Sequence, residues 1–172
     1  MDISAFLLRA ILSAGTLIFC ACAGAQSPEN SEHPADSAMK VEVGDLLETI
    51  GKISDYSIPH SPPPVFVISQ HQLESKLCDL PCNATAAYFP REGIYLAGHL
   101  VPLRDISAQA ALVHELVHFL QQGHAKFAHF AGCGREMEKE REAFEIQNAY
   151  FAHMGKQKRV TFFEGIYECS NR

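Results

Sequence analysis

Residues 110–122, AALVHELVHFLQQ, constrain this chain more than any other stretch. His114, Glu115 and His118 stand there in the order H-E-x-x-H, among Ala110, Ala111, Leu112, Val113, Leu116, Val117, Phe119 and Leu120. A run so apolar predicts a largely buried helix, and buried polar side chains need partners. At 3.6 residues per turn, His114 and His118 fall on one face, where both imidazoles can reach a single ion. Two imidazoles and a carboxylate buried alone would each cost on the order of a few kcal/mol, which a metal removes. The spacing is that of a zinc site, so Zn2+ is the expected cofactor. Glu115 lies one position round from His114 and is the expected general base, placed to take a proton from an attacking water.

With 172 residues, 47% of them hydrophobic, the chain can bury one sizeable core and not two. Its formal net charge of -6 and the lack of a basic stripe argue against nucleic acid as a partner. Residues 1–25 read as a signal peptide: Arg9, an apolar stretch, then Ala23-Gly24-Ala25 before Gln26. Only sixteen uncharged residues follow Arg9 up to Ala25, short of the ~20 that a membrane span needs. The expected location is therefore secreted or periplasmic, with no membrane span in the mature protein. A lipid on Cys22 is the alternative, although Phe19, Cys20 and Ala21 fit a lipobox poorly. Residues 26–40 are polar enough to form a disordered linker, leaving 41–172 as the folded domain.

Removal of the leader leaves Cys78, Cys82, Cys133 and Cys169, an even number that predicts disulfides in an oxidising compartment. Of three possible pairings, Cys78 with Cys82 and Cys133 with Cys169 are favoured. The second would stabilise by roughly 3 to 4 kcal/mol on a chain-entropy argument.

Along the folded part, Val43, Leu46, Leu47, Ile50 and Ile53 recur at helical intervals within 41–56. A strand is expected at 65–68 after three prolines, and a helix at 70–77 capped by Ser69. Two apolar runs, 86–89 and 94–96, flank Pro90-Arg91-Glu92-Gly93 and read as a β-hairpin. Asp105 or Ser107 can cap the H-E-x-x-H helix, and Gly123 can end it. A last long helix is expected over 135–154. Its core stripe comprises Met137, Glu140, Ala143, Phe144, Gln147, Tyr150, Phe151 and Met154, which puts the carboxylate of Glu140 where it wants a cation.

His114-Glu115-Leu116-Val117-His118 in an apolar helix resembles the active-site helix of the zincin metallopeptidases, and the chain is similar to small secreted bacterial proteins of that type. Glu140-Arg141-Glu142-Ala143 resembles the E-x-x-A segment that supplies the third ligand in the gluzincins. The resemblance implies an α+β, zincin-like domain: a small sheet and an active-site helix packed against a second, ligand-bearing helix. It implies zinc-dependent hydrolysis of a peptide or protein substrate, with His114, His118 and Glu140 as metal ligands and Glu115 as catalytic base. His124 is the rival third ligand, because it stands ten positions after His114 as in the metzincins. Those enzymes need a glycine where this chain has Gln121. Glu136 and Glu142 are the remaining alternatives. The resemblance also makes 94–96 a candidate sheet edge for substrate, the other reading being a hairpin that closes the sheet. His124, Tyr95 and Tyr150 are candidates to stabilise an oxyanion. The alternative function is an inactive zinc-binding module that docks a cell-envelope partner.

The leader yields the first test. The exported protein is expected to start at Gln26 with oxidised cysteines; an intact mass that includes residues 1–25, or a lipid on Cys22, would contradict this.

Overall fold

The computed structural model describes residues 37–78, 82–100 and 105–162. Four α-helices and a three-stranded sheet make an α+β fold: α1 Ser37–Ile53, β1 Val65–Ile68, α2 Gln70–Leu77, β2 Ala86–Phe89, β3 Gly93–Ala97, α3 Ile106–Gln122 and α4 Gly132–His153. No helix among the described residues is long and apolar enough to cross a membrane.

The sheet has the order β1-β3-β2, with β1 parallel and β2 antiparallel to β3. The expected edge at 94–96 is therefore the centre of the sheet, paired on both sides and closed to an incoming strand. The cause lies at Gly93. Its φ of 137° is open to glycine, and a Cβ there would lie 2.4 Å from the Pro64 carbonyl oxygen. That close approach lets Ile94 N–H donate to Pro64 O at 2.9 Å, which starts the β1–β3 ladder at Val65 opposite Ile94. The hairpin turn itself closes through Glu92 N–H to Phe89 O at 3.1 Å, with Pro90 second and Arg91 third at φ 73°. Proline second and a positive φ third mark a type II turn.

Strand alternation splits the sheet's two faces. Val65, Ile94 and Leu96 join α1, α3 and α4 in the main core. Ile68, Ala87, Tyr95 and Ala97 point to the other face, which α2 covers with Leu73. The start of α2 is set locally: Gln72 N–H donates to Ser69 Oγ and the Gln72 side chain accepts from Ser69 N–H, a capping box. Asp105 caps α3 through Ser107 N–H, and Gly123 follows its last residue. The Cys78–Cys82 disulfide is formed just beyond α2. Cys133 is also disulfide-bonded; the expected partner, Cys169, lies outside the described residues, as do 1–36.

Two helices depart from their expected bounds. α1 begins at Ser37, inside the stretch read as linker, since extending a helix already packed by Val43, Leu46 and Leu47 adds one hydrogen bond per residue without a new nucleus. α4 starts at Gly132 and stops before Met154, which is exposed; Ile146 is buried in its place along the stripe. The stop has a backbone cause. Lys156 N–H donates to Phe151 O at 2.8 Å and Gly155 N–H to Ala152 O at 3.0 Å, with Gly155 at φ 68°, a Schellman ending that turns the chain before Met154 can pack.

α3 and α4 run antiparallel, as three contacts between them show. Tyr150 OH donates to Gln109 at 2.8 Å, Glu140 meets His114 and His118, and Gln121 reaches Lys139 and Glu142. Positions rising along α3 thus pair with positions falling along α4.

Two glycines give opposite expectations. Gly93→Ala should destabilise by at least about 2 kcal/mol, because the side chain would strain φ and push β1 from β3. Gly44→Ala, in mid-α1 with nothing within 4 Å of the added methyl, should be neutral or stabilise by up to about 1 kcal/mol. Urea unfolding of both variants checks the pair, and an unaffected Gly93→Ala would refute the account of the central strand.

Candidate metal centre

α3 brings His114 and His118 to one side because they are four residues apart, and α4 supplies Glu140 from opposite. His114 Nε2 lies 3.1 Å from His118 Nε2. Glu140 forks across the pair, with Oε2 at 3.2 Å from His114 Nε2 and Oε1 at 3.2 Å from His118 Nε2. These are the only three residues, among those described, that form a group able to hold a metal ion, with candidate ligand atoms all within 4.8 Å of one another. Around an ion with bonds of roughly 2.0 to 2.1 Å, tetrahedral ligands stand about 3.3 Å apart, close to the spacings here. Two imidazoles and a carboxylate are also a donor set that suits zinc. A buried polar atom without a partner, His114 Nδ1, sits on the same ring, whose edge packs on Phe144 with centroids 4.6 Å apart.

The electrostatics follow from this proximity. Burial opposes charge on His118, but the hydrogen bond and charge of Glu140, with the charge of Glu115 and the Gln121 bond, outweigh it and raise the imidazole to about 9. Burial likewise opposes charge on Glu140, yet hydrogen bonds and charge from both histidines hold its carboxyl far below the usual carboxylate range. The nearness of Glu115 is registered by its effect on His118. It lies on the helix face that continues through Phe119 and Gln122, at successive turns.

The other candidates lie apart. His124 follows α3 beyond Gly123, is exposed, and packs its ring edge-on against Tyr56 at 5.2 Å. Glu136 pairs with Lys139 at 3.1 Å. Of the oxyanion candidates, Tyr95 bonds Glu92 at 3.0 Å on the far face of the sheet, and Tyr150 bonds Gln109, five residues before His114. Glu142, two residues after Glu140, lies outside the group but joins it indirectly: it accepts from Gln121 Nε2 at 3.0 Å and from Tyr56 and Lys126. Gln121, only 2% exposed, then accepts from His118 Nδ1 at 2.9 Å. Sequence reasoning named Glu142 only as an alternative ligand and missed Gln121 as a site residue. The signal was present, since a glutamine three residues after His118 in a buried run needs partners as a histidine does.

Tyr88, on β2, was also missed. Its ring packs on Phe119 with centroids 6.0 Å apart and its hydroxyl meets Gln122, so β2 runs beside the face of α3 that carries Glu115. β2 borders the sheet, and among the described residues no strand pairs with its outer side.

In protein stripped of divalent metal, the two shifts act at opposite ends of the pH scale. Glu140 is depressed on folding, so its contribution to stability is complete above its ordinary value of 4.5 and fades as the pH falls below that. His118 is raised, so its contribution is complete below 6.5 and is lost as the pH rises through about 9. Urea midpoints are expected to decline between pH 6.5 and 9, and the decline should shrink in His118→Gln; a midpoint that climbs over this range would contradict the pairing. Compared with protein-family models, curated proteins and solved structures, the chain finds no match among any of the three, so its function is read from this geometry.

Proposed function

We propose that this protein is an extracytoplasmic zinc-dependent peptidase whose site resembles that of the gluzincins. The observation that carries the reading is the convergence of His114, His118 and Glu140 from two helices into one ligand-sized group, with Glu115 beside it on α3. His114 Nε2, His118 Nε2 and the Glu140 carboxylate would hold the ion. When bound, zinc supplies a Lewis acid that polarises a carbonyl and makes a water easier to deprotonate at neutral pH. Glu115 is then the general base, taking the proton of the attacking water and passing it to the leaving amine. A purely structural site has no use for a carboxylate in that position.

The open edge of β2 supports a peptide as substrate. An extended segment adding along 86–89 through its backbone would lie next to Tyr88, and so alongside the Glu115 face of α3. The Cys78–Cys82 bond is what an oxidising compartment permits, in keeping with export.

Two measurements test the reading together. Elemental analysis of the purified mature protein should give about one zinc per chain, as a single three-ligand site requires. Glu115→Gln should keep that zinc and lose about 100- to 10,000-fold in cleavage of a proteome-derived peptide library, because the amide cannot take the proton. Zinc bound with no cleavage by the wild type, and identical behaviour of the variant, would favour the inactive module that docks an envelope partner.

A further inference from the structure

The two imidazoles of the site are held differently. His114 Nδ1 is buried without a hydrogen-bond partner, whereas His118 Nδ1 faces Gln121 Oε1 at 2.9 Å. An amide oxygen only accepts, so this contact requires the proton of His118 to sit on Nδ1. In the neutral ring, Nε2 then carries a lone pair, and Nε2 is the atom that faces His114 and Glu140.

The amide of Gln121 cannot turn round to offer its NH2 instead. Its Nε2 donates to the Lys139 backbone oxygen at 2.8 Å and to Glu142 Oε2 at 3.0 Å, and neither atom can donate back. At 2% exposure, no water stands ready to replace either acceptor. Glu142 is pinned in turn by the Tyr56 hydroxyl on the segment after α1 and by the Lys126 ammonium on the turn after α3. Three separate parts of the chain therefore converge on one carboxylate, whose effect is to fix the orientation of one amide. Core packing alone does not need this arrangement, since an apolar side chain of similar volume would fill the place without a polar network.

We propose that Gln121, anchored by Glu142, is a positioning residue for the metal: it holds His118 in the Nδ1–H tautomer with Nε2 directed at the ion. The proposal rests on the zinc site of the proposed function and adds to it a residue outside the H-E-x-x-H motif and its third ligand. Groups of this kind that orient a ligand histidine typically change metal affinity 10- to 100-fold when removed.

The test uses the full mature protein with zinc alone, titrated against a chromophoric chelator, and with Co2+ as a spectroscopic probe. Gln121→Met keeps the volume and removes the acceptor. It is expected to lower zinc affinity about 10- to 100-fold and to shift the visible Co2+ bands, with Glu140 and both histidines untouched. Glu142→Leu removes the carboxylate that anchors the Gln121 amide and is expected to weaken zinc binding and shift the Co2+ bands in the same direction, whereas Glu142→Gln keeps an acceptor for Gln121 Nε2 and leaves its bond to Lys139 O in place. The zinc affinity of Glu142→Gln should stay within a few-fold of wild type. If wild type binds no zinc, the site reading and this proposal fall together. If wild type binds and Gln121→Met binds as tightly with an unchanged Co2+ spectrum, the positioning role alone is refuted. Should Gln121→Met not fold, the Glu142 variants decide: weakened zinc binding in folded Glu142→Leu with near-wild-type affinity in Glu142→Gln supports the role, and wild-type affinity with an unchanged Co2+ spectrum in folded Glu142→Leu overturns it.

Discussion

The arrangement of this protein depends on burying one carboxylate against two imidazoles between α3 and α4. Any of these groups alone in an apolar seam would be costly; together they neutralise one another, with Glu140 taking up both rings at 3.2 Å. The two helices that carry them are otherwise rooted in the core: Leu112, Val113, Leu116 and Val117 from α3 and Ala143 from α4 are fully enclosed. Ala143 stands one turn beyond Glu140, and its small side chain lets the helices approach closely enough for the carboxylate to reach across. The apolar packing thus sets the distance, and the polar group uses it.

The same seam explains why the ion pair is compatible with a metal centre. A carboxylate already shared between two imidazoles faces the same point as both rings, so an ion bound as proposed would meet three ligands in place. Without an ion, the raised His118 imidazole offsets the Glu140 charge that a cation would otherwise meet. Tyr56, Lys126, Glu142 and Gln121 form a second polar line behind it, reaching from the segment after α1 to α4. Neither line would be tolerated in a core of this size unless its members satisfied one another.

Local chemistry made much of the fold legible. Ser69 and Gln72 marked the start of α2, Asp105 that of α3, and Pro90 to Gly93 the hairpin, because each acts through its immediate neighbours. The periodicity of α4 likewise placed Glu140 on an inward face. What could not be read was how separate segments meet. Nothing between 86 and 97 reveals that β1 pairs with β3 from the other side; that depends on Pro64 approaching Gly93 across nearly thirty residues of chain. Gln121 was weighed only as the place where a glycine was missing, and its partners lie on α4. Tyr95, Tyr150 and His124 were attractive by residue type, but strand alternation turns Tyr95 to the far face, and the course of α3 leaves Gln109 and His124 toward its two ends.

The antiparallel contacts between α3 and α4 bear on how much the connection between these helices can vary. Two apolar helix faces can slide past each other by a turn, about 5.4 Å, at modest cost in packing. Here such a slip would separate Gln109 from Tyr150, both histidines from Glu140, and Gln121 from Glu142 at once. Alignment is therefore keyed by side chains spread along the whole seam, and the loop need not measure it out. Residues 128–131, which follow Lys126 and precede α4, are accordingly the place where the chain can lengthen with only the slow logarithmic penalty of a longer loop. Related chains that share this seam could differ there in length while their sites remain superimposable.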